Sequence, residues 1–112
     1  MKFEKLNVYK KTRKFVNMIY CIVKNFPKFE NYGLTSQLTR ASVSVLANLC
    51  EGCGRYTTKE RNKFFRTSRS SAYECVALLQ IAVDQNYISE ETYLALKKEI
   101  EEISRMLTGM IK

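Results

Sequence analysis

Apolar residues recur along this chain at helical spacing, and the single proline and most of the few glycines fall between the periodic segments. Val8, Thr12, Phe15, Ile19, Ile22 and Phe26 alternate steps of four and three, which predicts a helix from about residue 5 to Phe26 with one core-facing stripe. Pro27 stops it, because the residue before a proline avoids the helical region. A second helix is predicted from about Thr35, as N-cap, to Gly52. Leu38, Ala41, Val45 and Leu49 form one apolar row on it; Val43, Ala47 and Cys50 form another on a different side. A helix apolar on two sides is buried on two sides, so the second row suggests a subunit interface. Gly52 and Gly54 suit its C-terminal end.

A third helix is predicted from about Thr58 to Asn86. Thr57 and Glu60 match a capping box, and Phe65, Ser68, Ala72, Cys75, Leu79 and Ala82 make its core row. Small residues dominate that row, so a neighbouring helix can approach closely. The fourth helix starts at Glu90 with Ser89 as cap, and Glu90 and Glu91 complement its dipole. Tyr93, Leu96, Ile100, Ile103, Leu107 and Met110 form the cleanest heptad in the chain. Connections of roughly 3 to 8 residues between long helices favour antiparallel neighbours. The predicted fold class is all-α: an up-down-up-down antiparallel four-helix bundle, with residues 1–112 as a single domain.

Charge changes this picture. The 112 residues carry 19 Lys/Arg against 11 Asp/Glu, a net of +8. Residues 1–69 hold 15 basic and 4 acidic side chains, whereas residues 70–112 hold 4 and 7. Such asymmetry points to a polyanion on one face. Lys59, Lys63, Arg66 and Arg69 line one side of helix 3, and Lys10, Arg13 and Lys14 cluster on helix 1. With Tyr9, Tyr56 and Phe64 nearby, phosphate contact with base stacking is the pattern suggested. The bland alternative is a solvated, basic helix face. No sequence-specific recognition motif is present. No apolar run is long enough for a membrane span or a signal peptide, which places the protein in the cytoplasm as an expectation.

The inventory for catalysis is poor. Histidine is absent, which removes the commonest general base and metal ligand and excludes Ser-His and Cys-His pairs within the chain. No enzymatic activity, metal or cofactor is expected. Cys50 and Cys53 form a C-x-x-C. The predicted setting is helical rather than strand-to-helix, and Cys21 and Cys75 lack zinc-finger spacing, so packing cysteines are expected. Glu51 and Glu74 sit in mostly apolar stretches. Each is expected to be held inside the bundle by hydrogen-bonding neighbours, Asn48 and Arg55 for Glu51, Ser70 and Ser71 for Glu74.

Residues 30–55 carry a recognisable pattern. Tyr32-Gly33-Leu34-Thr35 is followed by Gln37, Arg40 and Ala41, then by Ser44, Asn48, Glu51, Gly52 and Arg55. Phe26-Pro27 precedes this run, and Ser71 and Glu74 form a later Ser-x-x-Glu. The chain resembles, over essentially its whole length, the four-helix-bundle proteins encoded in intervening sequences of bacterial 23S ribosomal RNA genes. It departs from them at Leu46, where proline is common, and at Cys50, where alanine is common. The resemblance implies that Gln37, Arg40, Ser44, Asn48, Glu51, Gly52, Arg55, Ser71 and Glu74 are structural motif residues. It also implies a ring-like homo-oligomer, a pentamer. A related bundle, the accessory protein of diversity-generating retroelements, is a pentamer that binds nucleic acid and a reverse transcriptase. The expected function is therefore an oligomeric bundle binding nucleic acid, RNA before DNA. A scaffold that meets an acidic protein is the alternative.

Overall fold

The structure, a computed structural model, describes residues 1–112 and contains four α-helices and no strand. They are α1 (Asn7–Val23), α2 (Leu34–Cys53), α3 (Thr58–Asp84) and α4 (Glu90–Met110). Short 3-10 turns at Lys2–Lys5 and Lys28–Glu30 precede α1 and α2. Each helix packs on its sequence neighbours and α4 closes onto α1, so α1 and α3 lie on one diagonal and α2 and α4 on the other. The connections make the neighbours antiparallel, and the bundle measures 43 × 25 × 21 Å. No helix is long and apolar enough to cross a membrane.

The predicted stripes are the core. Phe15, Ile19, Leu38, Val45, Leu49, Phe65, Leu79, Ile100, Ile103 and Leu107 are almost fully buried in one cluster. Thr12 belongs to it because its hydroxyl donates to the Val8 carbonyl at 2.7 Å, which satisfies the one polar atom it buries. The α2–α3 seam is the tightest. Buried Ser68 donates to the Val45 carbonyl at 2.6 Å. A Cβ on Gly52 would stand 2.6 Å from Phe65 Cε1 and 3.2 Å from the Arg61 carbonyl oxygen. Gly52 therefore works inside the helix as a close-approach point, and α2 continues one residue past it.

Helix boundaries differ from the sequence expectation in three places. Helix α1 ends at Val23, three residues before Phe26, and Phe26 packs its ring 5.2 Å from that of Tyr87. Helix α3 ends at Asp84: Asn86 turns into the left-handed region at φ 63°. Asn86 N–H and Tyr87 N–H donate back to the Val83 and Ala82 carbonyls, so the helix closes as a Schellman motif. Thr35 is not the cap of α2. It lies inside the helix with a buried hydroxyl oxygen that has no hydrogen-bond partner. The cap is supplied from upstream, by Glu30: its Oε1 accepts from Leu34 N–H at 3.0 Å and its Oε2 from the Tyr87 hydroxyl at 2.9 Å. The other caps stand. Thr57 Oγ1 accepts from Glu60 N–H and Ser89 Oγ from Thr92 N–H, although Glu60 makes no return bond to complete a box.

Candidate nucleic-acid interface

Antiparallel packing decides where the charge goes. The N-terminal halves of α1 and α3 and the C-terminal halves of α2 and α4 share one end of the bundle. That half, residues 1–15, 44–71 and 100–112, carries 14 of the 19 basic and 5 of the 11 acidic residues. The opposite half carries the remaining 5 basic and 6 acidic ones. The asymmetry along the chain is thus an asymmetry between two ends of the molecule, and it includes Lys2, Lys5, Arg61, Arg105 and Lys112, which stripe analysis of helices 1 and 3 passes over. Their common signal is the antiparallel order itself.

Among the Lys and Arg side chains of this half only Lys11 and Arg55 pair with carboxylates, and the Met1 ammonium pairs with Glu4 at 2.9 Å. Lys11 reaches Glu99 at 2.7 Å and Glu102 at 3.2 Å, pinning α1 to α4. The ion pair raises the Lys11 pKa and lowers that of Glu99, with the mutual hydrogen bond as the main cause of each. Lys10, Arg13, Lys14, Lys59, Lys63 and Arg66 are exposed, with no carboxylate within salt-bridge distance. Arg69 is half-buried and donates to Thr108 Oγ1 at 3.2 Å.

These side chains do not form one face. Because α1 and α3 are diagonal and both clusters point away from the core, Lys10, Arg13 and Lys14 lie on the side of the bundle opposite Lys59, Lys63 and Arg66. The single basic face expected from the sequence is two patches at one end. The first lines a recess of about 460 Å³ with Glu4, Tyr9 and Asn17. Of the three aromatics expected to stack on bases, Tyr56 alone is free, 98% exposed in the α2–α3 turn. Tyr9 meets Phe3 edge-on at 5.3 Å, and the Arg55 guanidinium covers Phe64 at 4.8 Å.

The motif residues are placed differently from expectation. Gln37, Arg40, Ser44, Asn48 and Glu51 follow steps of three and four, so they form one row on α2, which Arg55 extends just past the helix end, but it runs along the surface. Asn48 Nδ2 donates to the Ser44 carbonyl and hydroxyl at 2.9 and 3.0 Å. The Ser44 and buried Ser71 hydroxyls are 2.8 Å apart across the α2–α3 seam. Glu51 pairs with Arg55 at 2.6 Å, as expected, yet in solvent rather than inside the bundle. Glu74 is exposed and makes no bond to Ser70 or Ser71, because Ser71 is turned toward Ser44. Gln37 and Arg40 are exposed and also lack bonds within the chain. Beside this row, the second apolar row of α2 is on the surface of the single chain, with Val43 39% exposed.

The cysteines are free thiols: Cys75 is buried in the core, Cys50 and Cys53 are partly buried and Cys21 is exposed. Burial pushes the Cys75 pKa up to about 12, and burial likewise raises Cys50 and Cys53. No group of three or more metal-ligating side chains is present.

A profile of the 23S rRNA-intervening sequence protein family matches residues 4–109. The chain belongs to this family. The solved structure of a protein of unknown function from the S23 ribosomal protein family of Bacteroides thetaiotaomicron superposes with a TM-score of 0.84. It is 22% identical and the match covers 94% of this chain and 98% of that one, so the likeness is one of fold. No match is found among curated proteins. Membership in the 23S rRNA-intervening sequence family agrees with the four-helix bundle.

Proposed function

We propose that this protein is a non-catalytic, self-associating bundle that binds nucleic acid through its basic half, with RNA as the favoured polyanion. One observation carries the reading: exposed cations gathered at one end without carboxylates to neutralise them. Intramolecular packing gives no reason for that arrangement, and phosphate supplies the missing counter-charge. The two patches face apart, so one bundle reaches two strands, or two segments of one folded strand. Repetition of the patches in a ring of copies, the pentamer of the resemblance, multiplies weak contacts through effective concentration. The uncharged outer row of α2 around Val43 and Ala47 is the surface suited to copy-to-copy contact. The family's association with 23S rRNA makes RNA the first ligand to test. The perturbed titrating groups support a non-catalytic role: they are buried or partly buried thiols, a partly exposed ion pair and a tyrosine bonded to a carboxylate, each shifted away from neutrality.

The test is a salt series on purified protein with structured RNA, duplex DNA and single strands, with solution mass measured alongside. About four phosphate contacts predict an affinity loss of roughly 10²-fold between 50 and 200 mM salt. No binding to any nucleic acid at low salt, with retention of an acidic protein, would leave the scaffold reading in its place.

A further inference from the structure

One recess in the molecule joins an apolar floor to an exposed aromatic ring and cationic rims. Between α3 and α4 lies a cleft of about 380 Å³, floored by Ala72, Val76 and Ile100. Tyr73 stands on its α3 side with 57% of its surface exposed, and its hydroxyl has no hydrogen-bond partner. Arg105 and Glu101 come from α4. One turn before Tyr73 on α3 is Arg69, drawn toward α4 by its bond to Thr108 Oγ1. A guanidinium has five donors, so that single bond leaves Arg69 able to take a phosphate.

We infer that this cleft receives one unpaired nucleobase of a single strand, stacked on the Tyr73 ring, with the flanking phosphates on Arg105 and Arg69. The inference rests on the nucleic-acid reading and narrows it from phosphate contact to recognition of unpaired nucleotides. Base-on-aromatic stacking accepts any base and adds affinity that a duplex, whose bases face inward, does not gain. The apolar floor suits the edge of a flat heterocycle. Glu101 would repel a bare phosphate inside the cleft and instead accepts an N–H from the base edge, which places the base inward and the phosphates at the rim. Arg69 and Arg105, both in the basic half, supply the positive charge that complements the phosphates on either side of the base.

The chain contains no tryptophan, so Tyr73→Trp installs a sole indole at the cleft. The probes are a twelve-nucleotide single-stranded RNA of mixed A and U and the same sequence annealed to its complement. Saturable quenching by the single strand, with much less by the duplex, is expected. Tyr73→Ala should weaken single-strand binding by about tenfold and leave duplex binding unchanged. Tyr73→Phe, which keeps the ring, should bind like the wild type. Equal loss on both probes, or no loss, overturns the inference. If Lys63→Glu/Arg66→Glu still weakens binding in that case, the basic-half reading stands without it. Absence of wild-type binding at low salt removes both. A change in solution mass on Tyr73→Ala also overturns the inference, because the cleft would then be covered by another copy.

Discussion

The two ends of this bundle are built from the same four helices and share one core, yet one gathers 14 basic and 5 acidic residues and the other is near balance with 5 and 6. At the weakly charged end, Glu30 spends both carboxylate oxygens on the fold, one on the Leu34 N–H and one on the Tyr87 hydroxyl. Tyr87 in turn packs on Phe26, so the α1–α2 and α3–α4 connections are tied together. At the basic end the interior is at least as well made, with Gly52 against Phe65 and Ser68 bonded to Val45. Of its 14 Lys and Arg side chains, however, only Lys11 and Arg55 meet carboxylates. A charge used by the fold has a partner within the chain. A cluster that lacks one is left open to solvent, and like-charge repulsion within it slightly opposes folding.

Core substitutions should produce the largest effects, in stability rather than binding. Phe65→Ala should cost about 3–5 kcal/mol, measured by urea denaturation, because it empties the seam that Gly52 was shaped to meet. Gly52→Ala should cost about 1–3 kcal/mol by overpacking the same ring. A neutral Gly52→Ala would mean that α2 and α3 separate more easily than the geometry implies.

The comparison of the two ends is sharpened by charge reversal. Lys63→Glu/Arg66→Glu should weaken RNA binding by about 10- to 100-fold at 100 mM salt and flatten its salt dependence. The matched reversal at the other end, Lys97→Glu/Lys98→Glu, should change it by less than about threefold, since those residues lie outside the basic half. Equal effects from both pairs would reduce the asymmetry to net charge alone. Tyr87→Phe removes one hydrogen bond from Glu30 and should lower stability by about 1 kcal/mol without touching binding.

The smallest effect is expected at Lys11. Lys11→Met should lower stability by under about 1 kcal/mol, as partly exposed ion pairs do. The Glu99 pKa is depressed in the folded state, so its contribution is present above the ordinary carboxylate value of 4.5 and is lost as pH falls through the lower, folded value. The Lys11 pKa is raised, so its contribution is present below 10.5 and is lost as pH rises through the higher, folded value. The difference between wild type and Lys11→Met should therefore be greatest between those limits and vanish in strong acid and strong alkali.

Helix stripes were legible because burial imposes a period, and Val8 to Ile19 or Tyr93 to Leu107 carry it without interruption. The Thr57 and Ser89 caps were legible because the capping side chain is adjacent in sequence. The α2 cap was hidden because Glu30 reaches it from the preceding turn. Gly33 leaves the room, since a Cβ there would lie 2.7 Å from Glu30 Oε1. Glu74 was misplaced for a related reason: Ser71 has a cross-helix neighbour, Ser44, that no local spacing reveals. The candidate interface was legible only as far as exposure goes. Spacing put Lys10, Arg13, Lys14, Lys59, Lys63 and Arg66 on outer helix faces, where they are exposed, whereas the division into two patches follows from the diagonal placement of α1 and α3, a tertiary fact.

The most direct test of the central claim is the affinity of the purified protein for a structured RNA, measured from 50 to 200 mM salt. The account predicts binding at low salt that falls by roughly 10²-fold across that range, in step with about four neutralised phosphates. Affinity that stays constant across the range, or no binding at its low end, would contradict it.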